Sequence, residues 1–315
     1  MENSKIDSYI KAALLRMNQE LFQEVYLNCS ELSPLLSEVL WPLGKSIRPK
    51  FGLTLAFFFS KDPLAEHGLM ELCKTIECIH IASLLHDDVV DEGVIRRSRP
   101  CFYHAWGQRR AILLGDYLLS VALNYLSKIR NPELLSILQS AISQMTLGQI
   151  QEEAMSWSHG IKDYEEIVLK KTASLFSATA KAVCALFQVK DSYALALESC
   201  GKLIGFCFQL QDDLQDYTGT KKDKKRFQDF FQSRITAPFL WLREQVSQEM
   251  HSQLKVLWNF PTLDHAHRLY ELMAQYHIPQ YGEEQIKTSK TYVFRHLQKY
   301  WSLESVNSVM KFFSC

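Results

Sequence analysis

Three aspartates in the segment ASLLHDDVVDEG, Asp87, Asp88 and Asp91, are spaced as a D-D-x-x-D cluster. On a helix, Asp87 and Asp91 lie on one face, because residues four apart are neighbours on the helix surface. Carboxylates this close repel each other unless a cation lies between them, and Mg²⁺ commonly joins a few carboxylates to a substrate phosphate. Arg96 and Arg97 follow, and their planar guanidinium groups match phosphate oxygens. The stretch therefore predicts ligands for a metal ion and a phosphate together.

A second copy of the cluster, FQLQDDLQDY, contains Asp212, Asp213 and Asp216. The residues before it are mostly apolar, which predicts that a buried helix carries this cluster as well. Solvated surface charge can explain one such triplet, but not two at the ends of buried helices. Two facing triplets in a helical bundle indicate a metal cluster that holds a polyphosphate. Apolar walls around such ligands would suit an amphiphile with a diphosphate head and a hydrocarbon tail.

Other phosphate chemistries fit the sequence less well. The chain contains no P-loop motif, which argues against nucleotide phosphoryl transfer by that route. His86 adjoins Asp87 and, with His80 and Asp91, suggests an HD-type phosphohydrolase, but that alternative leaves the second triplet unexplained. His80 taken alone is more often a hydrogen-bonded core histidine. Its place three residues after Glu77 and seven before Asp87 makes it a candidate ligand.

The elements that must position these residues are helices. Apolar residues recur at three- and four-residue spacing along almost the whole chain, and no convincing stretch alternates with a period of two. We predict an all-α fold, and one domain over residues 1–315, because no linker or low-complexity segment divides the chain. The predicted long helices span 5–29, 50–60, 67–91, 108–129, 133–157, 163–187 and 191–217.

The segments between the predicted helices carry candidate ligands. WPLGKSIRP is predicted to be a loop that presents Lys45 and Arg48, after a short helix that starts at Ser33-Pro34. Residues 92–102 are predicted to be loop, and the highly charged stretch 218–230 is predicted to be a mobile loop. Shorter helices, broken at Pro261 and Pro279, complete the chain.

Composition narrows the classes of function. The 35 basic and 35 acidic residues balance, which argues against nucleic acid or a charged membrane surface as a general partner. No run approaches the roughly 20 apolar residues that span a bilayer, and the N-terminal residues lack a signal-peptide core. The eight cysteines form no C-x-x-C pair, which favours reduced thiols over disulfides. We therefore expect a soluble, cytoplasmic protein.

The chain resembles the trans-isoprenyl diphosphate synthases of the polyprenyl synthetase family. The resemblance rests on motifs that follow in order: GKSIRP (44–49), the first aspartate cluster with Arg96, Arg97 and Pro100, WG…LLGDYLL (106–119), Gly148-Gln149, YEEIVLKKTASLF (164–176) and FQLQDDLQDY (208–217). It implies an isoprenoid-synthase-type helical bundle with a central active-site cavity. It also implies a homodimeric, Mg²⁺-dependent prenyltransferase that joins isopentenyl diphosphate to dimethylallyl, geranyl or farnesyl diphosphate.

The family's roles pass to this sequence position by position. The resemblance implies that six carboxylates hold Mg²⁺, directly or through water: Asp87, Asp88, Asp91, Asp212, Asp213 and Asp216. Cations that would bind the allylic diphosphate are Arg96, Lys171 and Lys225, or Lys224 if the register slips. Thr172 and Gln209, counted with Lys171 as catalytic, would place oxygen dipoles near the developing allylic cation.

A second set of residues is implied for the other substrate. The diphosphate of isopentenyl diphosphate would be held by Lys45, Arg48, His80 and Arg97. Metal and cationic ligands stabilise the charge on the departing diphosphate, and apolar walls exclude water from the remaining cation. The isopentenyl double bond then attacks that cation, and a proton is lost to the released diphosphate. No protein general base is required.

The sequence departs from the family at four places. Leu43, Ser98 and Phe227 each replace a usual glycine, and Ser233-Arg234 stand where Gly-Lys is usual. Arg234 keeps a positive charge for substrate binding, but its bulk and its planar fork differ from those of lysine. These departures bear on loop geometry and catalytic efficiency rather than on the metal site.

Product length and rival functions follow from fewer residues. In the family, large aromatic side chains four and five residues before the first aspartate stop chain growth early, and here those residues are Ser83 and Ala82. Their small size favours a long polyprenyl product, although a bulky residue on the 108–129 helix would still cap growth at C20.

A class I terpene cyclase usually lacks the second aspartate cluster and the Lys45, Arg48 and His80 set. A non-catalytic partner subunit of a polyprenyl synthase remains the alternative from another class.

Overall fold

The computed structural model describes residues 2–28, 44–91, 95–96, 99–219 and 226–314. The regular secondary structure of this part of the chain is helical apart from one short two-stranded ribbon, so the all-α prediction is confirmed. In chain order the helices are α1 (Glu2–Asn28), α2 (Ile47–Ala56), α3 (Leu69–Val90), α4 (Phe102–Trp106), α5 (Gln108–Ile129), α6 (Pro132–Glu153), α7 (Ile161–Val168), α8 (Ser174–Leu186), α9 (Asp191–Thr218), α10 (Gln228–Phe231), α11 (Ala237–Gln245), α12 (Gln248–Asn259), α13 (Leu263–Gln275), α14 (Ile278–Leu297) and α15 (Leu303–Met310).

Shorter elements complete the described chain. Single turns of 3₁₀-helix span Pro63–Ala65 and Lys311–Ser314, and a π-helical turn, Leu169–Ala173, joins α7 to α8. The ribbon pairs β1 (Ile95–Arg96) with β2 (Arg99–Pro100) in antiparallel register. The sequence did not indicate the π-helical turn or the ribbon.

The helix boundaries agree best with prediction where the chain has clear stop signals. α5 has the predicted bounds, and the side chain of Asn131 caps α6 by accepting a hydrogen bond from the N–H of Glu133 at 3.0 Å. α6 ends at Glu153, four residues before its predicted end. At the last predicted break, α14 begins at Ile278, so Pro279 lies in its first turn, where a missing N–H costs no hydrogen bond.

Two predicted loops are wrong in part. α2 begins at Ile47, so Arg48 lies in the first helical turn rather than in a loop, and Pro49 is tolerated there because its N–H would lack an intrahelical partner. In the stretch predicted as a mobile loop, residues 226–231 form a turn and α10, because Phe227 and Phe230 are buried. The remaining part of that stretch, 220–225, and the predicted helix start at Ser33-Pro34 lie outside the described residues.

Two hydrophobic clusters hold the helices together. The larger cluster contains residues of α1–α6, α8, the first half of α9, α14 and α15. The smaller cluster contains residues of α7, the last half of α9 and α10–α13, together with Ile278 at the start of α14. α9 therefore crosses from one cluster to the other, with Cys207 in the larger and Leu210 in the smaller. The second aspartate cluster lies on the part of α9 that packs in the smaller cluster.

α5 is long and apolar enough, by length and composition alone, to cross a membrane. Core helices of water-soluble proteins also pass this test, and one face of α5 packs tightly against α3, with Leu114 and Leu118 buried. Its other face exposes Leu113 and Leu123. α5 is thus a core helix with a second, uncovered apolar face.

The described cysteines are free thiols, as predicted: Cys73, Cys78, Cys101, Cys184, Cys200 and Cys207. All of them are buried, and burial raises the pKa of Cys73 to about 12 and of Cys207 to about 11. A thiol with so high a pKa stays protonated near neutral pH. These cysteines therefore act as small apolar core residues.

Candidate active site

The first aspartate cluster lies where α3 ends. Asp87 and Asp88 occupy its last turn, and the N–H of Asp91 closes that turn by donating to the Asp87 carbonyl at 2.8 Å. Asp88 is buried, and the carboxylate of Asp91 forms an ion pair with Arg234. Burial lowers the pKa of Arg234, but the carboxylates of Asp91 and Glu152 raise it by more, and the net shift is upward. The guanidinium is therefore held in its charged form.

The second aspartate cluster lies inside α9 and is more deeply buried. Asp213 is 3% exposed, and both of its oxygens accept hydrogen bonds: Oδ2 from the hydroxyl of Tyr164 at 2.6 Å and Oδ1 from Nε2 of Gln209 at 2.8 Å. Burial raises the pKa of Asp213 to about 7, against the opposing effect of these two donors. This carboxylate is expensive to ionise without a cation beside it.

Asp216 has a structural role that the sequence did not indicate. It is 1% exposed, and its two oxygens accept hydrogen bonds from the N–H groups of Gln228 at 3.0 Å and Asp229 at 3.2 Å. Its carbonyl also accepts a hydrogen bond from the N–H of Phe227 at 2.9 Å. Asp216 therefore fixes the start of α10 against the end of α9.

The π-helical turn aims two predicted residues at the space between the aspartate clusters. Lys171 forms an ion pair with Glu152, and the hydroxyl of Thr172 donates to Oε1 of Gln209 at 2.9 Å. Burial lowers the pKa of Lys171, but Glu152 and then Asp87 raise it, with a net upward shift. Single π-helical turns inside helices are frequent at functional sites, because they shift the helical register by one residue.

Gly148 explains how α6 approaches this turn. A Cβ atom on Gly148 would lie 2.6 Å from the backbone nitrogen of Lys171, a distance that atoms in real structures do not reach. Only glycine permits this contact, because it has no Cβ. Glu152, one turn further along α6, is thereby brought within reach of Lys171.

The residues expected to bind isopentenyl diphosphate gather at the start of α2. Nη1 of Arg48 lies 3.0 Å from Nε2 of His80, and the Arg48 guanidinium stacks over Phe176, 4.8 Å from the ring centroid. Lys45 is exposed beside them. The intervening Ser46 adopts a left-handed conformation with φ of 42° and donates its hydroxyl hydrogen bond to the buried Glu77 at 2.9 Å.

His86 contacts α5, whereas His80 contacts Arg48 of α2. Its Nε2 lies 3.3 Å from the Ile112 carbonyl oxygen and 3.4 Å from Oδ1 of Asp116. The structure thus gives His86 partners on the neighbouring helix, and this arrangement argues against the HD-type phosphohydrolase alternative.

A cavity of about 360 Å³ connects the two clusters. It is lined by six of the predicted residues: Asp91, Lys171, Thr172, Gln209, Asp213 and Arg234. Among the other lining residues, sequence reasoning did not single out Glu152, Tyr164 or Asp229 as site residues. Tyr164 opens the YEEIVLKKTASLF motif, and Glu152 follows Gly148-Gln149, so both lie in segments already singled out, but neither has a spacing that marks it as a ligand.

Several predicted residues cannot be placed. Arg97, Lys225, Lys224, Leu43 and Ser98 lie outside the described residues, as does the side chain of Arg96, whose backbone forms part of β1.

The other departures from the family's glycines have left-handed backbones. Phe227 has a φ of 66° and Ser233 a φ of 54°. Phe227 is buried and packs against Tyr217, with the Arg226 guanidinium over its ring, whereas Ser233 is exposed. Glycine is usual at these two positions because it adopts a left-handed backbone without strain. This chain has the same left-handed backbone with phenylalanine and serine in place of glycine.

Across the described part of the chain, no group of three or more aspartate, glutamate, histidine and cysteine side chains converges closely enough to hold a metal ion alone. The donor type nevertheless fits a hard divalent cation, since the cavity offers carboxylate oxygens from both clusters. Mg²⁺ is usually bound by one or two carboxylates together with substrate phosphates rather than by an all-protein cage. Carboxylates held apart on two helices match that mode of binding.

Known proteins resemble this chain over most of its length. The sequence model of the family described as polyprenyl synthetase matches residues 30–273. A prenyl transferase of Cyanidium caldarium is 32% identical over 243 residues, which are 76% of this chain and 75% of the relative. Heptaprenyl diphosphate synthase component 2 of Geobacillus stearothermophilus is 29% identical over 238 residues, 74% and 73% of the two chains.

A solved structure has the same fold. The polyprenyl synthase from Caulobacter crescentus CB15, complexed with calcium and isoprenyl diphosphate, superposes with a TM-score of 0.89 at 22% identity, over 98% of this chain and 95% of that one. This likeness extends the all-α assignment to the isoprenoid-synthase type of helical bundle.

Proposed function

Because this chain belongs to the polyprenyl synthetase family of prenyltransferases, we propose that it condenses isopentenyl diphosphate with an allylic diphosphate in a Mg²⁺-dependent reaction. The observation that supports this most directly is the cavity, where carboxylates from both aspartate clusters meet the cations Lys171 and Arg234. A diphosphate with a divalent cation would replace the protein's own ion pairs there. A class I terpene cyclase usually lacks the second D-D-x-x-D cluster, and an HD-type phosphohydrolase would leave that cluster without a role.

The metal ligands in the proposal are Asp87, Asp88, Asp91, Asp212, Asp213 and Asp216. Bound Mg²⁺ would supply positive charge that offsets the charge on the departing diphosphate. Asp213 fits this role because it is buried and costly to ionise alone. Asp216 already accepts two backbone hydrogen bonds, so it would meet the metal only through its remaining lone pairs or through water.

Cationic side chains bind the diphosphates in this proposal. Lys171 and Arg234 would exchange Glu152 and Asp91 for oxygens of the allylic diphosphate. Arg96 and Lys225 would bind the same diphosphate. As the allylic C–O bond breaks, its electron pair leaves with the diphosphate, and these cations stabilise the resulting charge.

The second substrate has its own cations. Arg48 and His80 lie within hydrogen-bonding distance of each other, so together with Lys45 and Arg97 they would hold isopentenyl diphosphate. Its double bond attacks the allylic cation, near which the Thr172–Gln209 pair places oxygen atoms. The released diphosphate then takes up the proton that is lost.

We propose a long-chain product. Ala82 is buried in α3 and Ser83 is small, so neither side chain blocks growth as a large aromatic would. The relative named heptaprenyl diphosphate synthase component 2 supports the same direction. Ser83 donates a hydrogen bond to the carbonyl of His80 at 2.8 Å, which keeps its hydroxyl turned onto its own helix.

We also propose that one domain over residues 1–315 forms a homodimer in the cytoplasm. Exposed leucine and isoleucine side chains on α5 and α6 support pairing, since large apolar patches usually mark interfaces: Leu113, Leu123, Leu147 and Ile150. The free, buried cysteines support a reducing compartment.

To test the proposed reaction, the purified protein is incubated with Mg²⁺, isopentenyl diphosphate and farnesyl diphosphate, and the products are analysed by mass spectrometry. We expect a ladder that ends at a discrete product between C30 and C50, and no product when a chelator removes the metal. A stop at C20 would keep the enzyme but overturn the proposal of a long chain. Folded protein that makes no product would favour the non-catalytic partner subunit.

A further inference from the structure

Tyr164 is a buried residue that the proposed reaction does not use. It lies in the first half of α7, it is 4% exposed, and it reaches the cavity wall. Its hydroxyl donates to Oδ2 of Asp213 at 2.6 Å, across 49 residues of sequence. A buried tyrosine hydroxyl usually has one such partner, but this partner is a proposed metal ligand.

The other oxygen of Asp213 is held as firmly. Gln209 donates to Oδ1 from its Nε2, and its Oε1 accepts a hydrogen bond from Thr172 at 2.9 Å. Because the threonine hydroxyl donates to the amide oxygen, the amide nitrogen must face Asp213. The hydrogen bonds run from Thr172 to Gln209 to Asp213, and Tyr164 closes the series from the opposite side.

The segment before α7 fixes Tyr164 itself. The side chain of Asp163 accepts a hydrogen bond from the N–H of Gly160 at 2.7 Å, which starts α7 one turn before Tyr164. Arg243, on α11, donates to the carbonyls of Trp157 and His159. Tyr164 is therefore placed by the fixed start of α7 and by its packing in the smaller hydrophobic cluster.

We propose that Tyr164 is a positioning residue: its hydroxyl, together with the Gln209 amide, holds the Asp213 carboxylate in one orientation at the cavity wall. A carboxylate bonded at both oxygens cannot rotate about its own axis, so its free lone pairs keep one direction. A complex of a divalent cation with diphosphate then meets a ligand that needs no reorganisation. This inference rests on the proposed function, since it assigns Asp213 to the metal.

The first test compares two buried tyrosines that each donate to a carboxylate. Tyr164→Phe removes the donor to Asp213, and Tyr125→Phe removes the donor to Glu24, between α5 and α1. For Tyr164→Phe we expect the half-saturating Mg²⁺ concentration to rise about 10-fold or more, the usual effect of losing a partner of a metal ligand. The KM for isopentenyl diphosphate stays at the wild-type value.

The control separates this effect from lost stability. Tyr125→Phe lowers the melting temperature but leaves the Mg²⁺ dependence unchanged, because Tyr125 lies outside the cavity. A Mg²⁺ dependence of Tyr164→Phe equal to that of the wild type would overturn the proposal. In an Asp213→Asn background, Tyr164→Phe adds no further loss of metal affinity, and a full additional loss would show that Tyr164 acts on something else.

A binding measurement keeps this test apart from the test of the reaction. Inorganic diphosphate with Mg²⁺ raises the melting temperature of the wild type, and this rise is smaller for Tyr164→Phe but not for Tyr125→Phe. If the wild type makes no product yet shows this rise, the proposed reaction has failed while the role of Tyr164 is still measured by binding. If the wild type makes product but diphosphate and Mg²⁺ leave its melting temperature unchanged, the role of Tyr164 is overturned and the proposed reaction stands.

Discussion

The two aspartate clusters share a sequence pattern but have different environments. The first lies at the end of α3, and its last member, Asp91, is neutralised by the guanidinium of Arg234. The second lies inside α9, where Asp213 and Asp216 accept hydrogen bonds from neutral donors: Tyr164, Gln209 and two backbone N–H groups. The first is therefore held by a charge that a substrate can displace, and the second by donors that stay in place.

This difference separates two tasks that a metal–diphosphate site must combine. An ion pair at a cavity wall can open when a diphosphate offers Arg234 better oxygens and a metal takes over Asp91. Hydrogen bonds from Tyr164 and Gln209 instead set the direction of a ligand before anything binds. Equal spacing of aspartates does not reveal which cluster has which task, because neighbouring helices decide it.

The largest expected effect follows from neutralising one buried aspartate in each cluster. Asp88→Asn and Asp213→Asn should each lower kcat by about 100- to 1000-fold, since each removes a group that acts on transition-state charge. Steady-state kinetics measure this, and circular dichroism checks folding. A variant that keeps full activity would show that its aspartate cluster does not take part in catalysis, and would contradict the assignment of tasks to the two clusters.

Gly148→Ala should disturb the turn that lies between the clusters. The new Cβ would meet the backbone nitrogen of Lys171 at 2.6 Å, so α6 or the π-helical turn must shift. We expect a loss of about 1–3 kcal/mol in the free energy of unfolding, the usual cost of overpacking, and a lower kcat. Denaturant unfolding measures the first quantity.

Gly160→Ala is the matched control for this change. The nearest atom to its new Cβ would be 4.0 Å away, so its stability should remain close to that of the wild type. Equal losses for the two variants would contradict the close approach of α6.

Loss of the guanidinium that pairs with Asp91 in the first cluster should weaken the binding of one substrate only. Arg234→Gln should raise the KM for farnesyl diphosphate about 10-fold, since a charged hydrogen bond contributes about 1.5–3 kcal/mol, and should leave the KM for isopentenyl diphosphate unchanged. Arg234→Lys, which restores the usual residue, should recover most of the affinity. Initial rates with each substrate varied in turn measure both constants, and an equal rise in both would contradict the assignment.

The smallest expected effect is a pH dependence of the metal-free protein. Burial raises the pKa of Asp213 from 3.8 to about 7, so between these values the folded chain binds this proton more tightly than the unfolded chain. Stability due to this group therefore falls as pH rises through this range. Between pH 5 and pH 8 with chelator, the wild-type Tm should therefore fall further than that of Asp213→Asn, by about 2–4 °C for each kcal/mol of stability lost.

Much of the fold could be predicted, because helix periodicity and stop signals are local. Asn131-Pro132 ends one helix and starts the next, so the bounds of α5 follow directly from the sequence. Arg48 and His80, like Thr172 and Gln209, were expected in common sites, and the structure brings each pair together.

The remaining features depend on contacts that no local pattern encodes. Tyr164 meets Asp213 from 49 residues away, and Lys171 meets Glu152 from 19 residues away. The π-helical turn shifts the register by one residue without any proline or glycine inside Leu169–Ala173 to mark it. The burial of Phe227 could not be read from the sequence, because the charged residues around it predicted a mobile loop.

Phe227 and Ser233 also differ in how well each position would tolerate glycine. At Ser233, which is exposed, a return to glycine would relieve a left-handed backbone worth about 1 kcal/mol and lose little. At Phe227 the same return would relieve the backbone but empty the space of a buried ring beside Tyr217 and Arg226. The first replacement is reversible in a single mutation. Glycine at position 227 would instead remove the packing of Tyr217 and Arg226 around the ring, so this replacement is not reversible by one change alone.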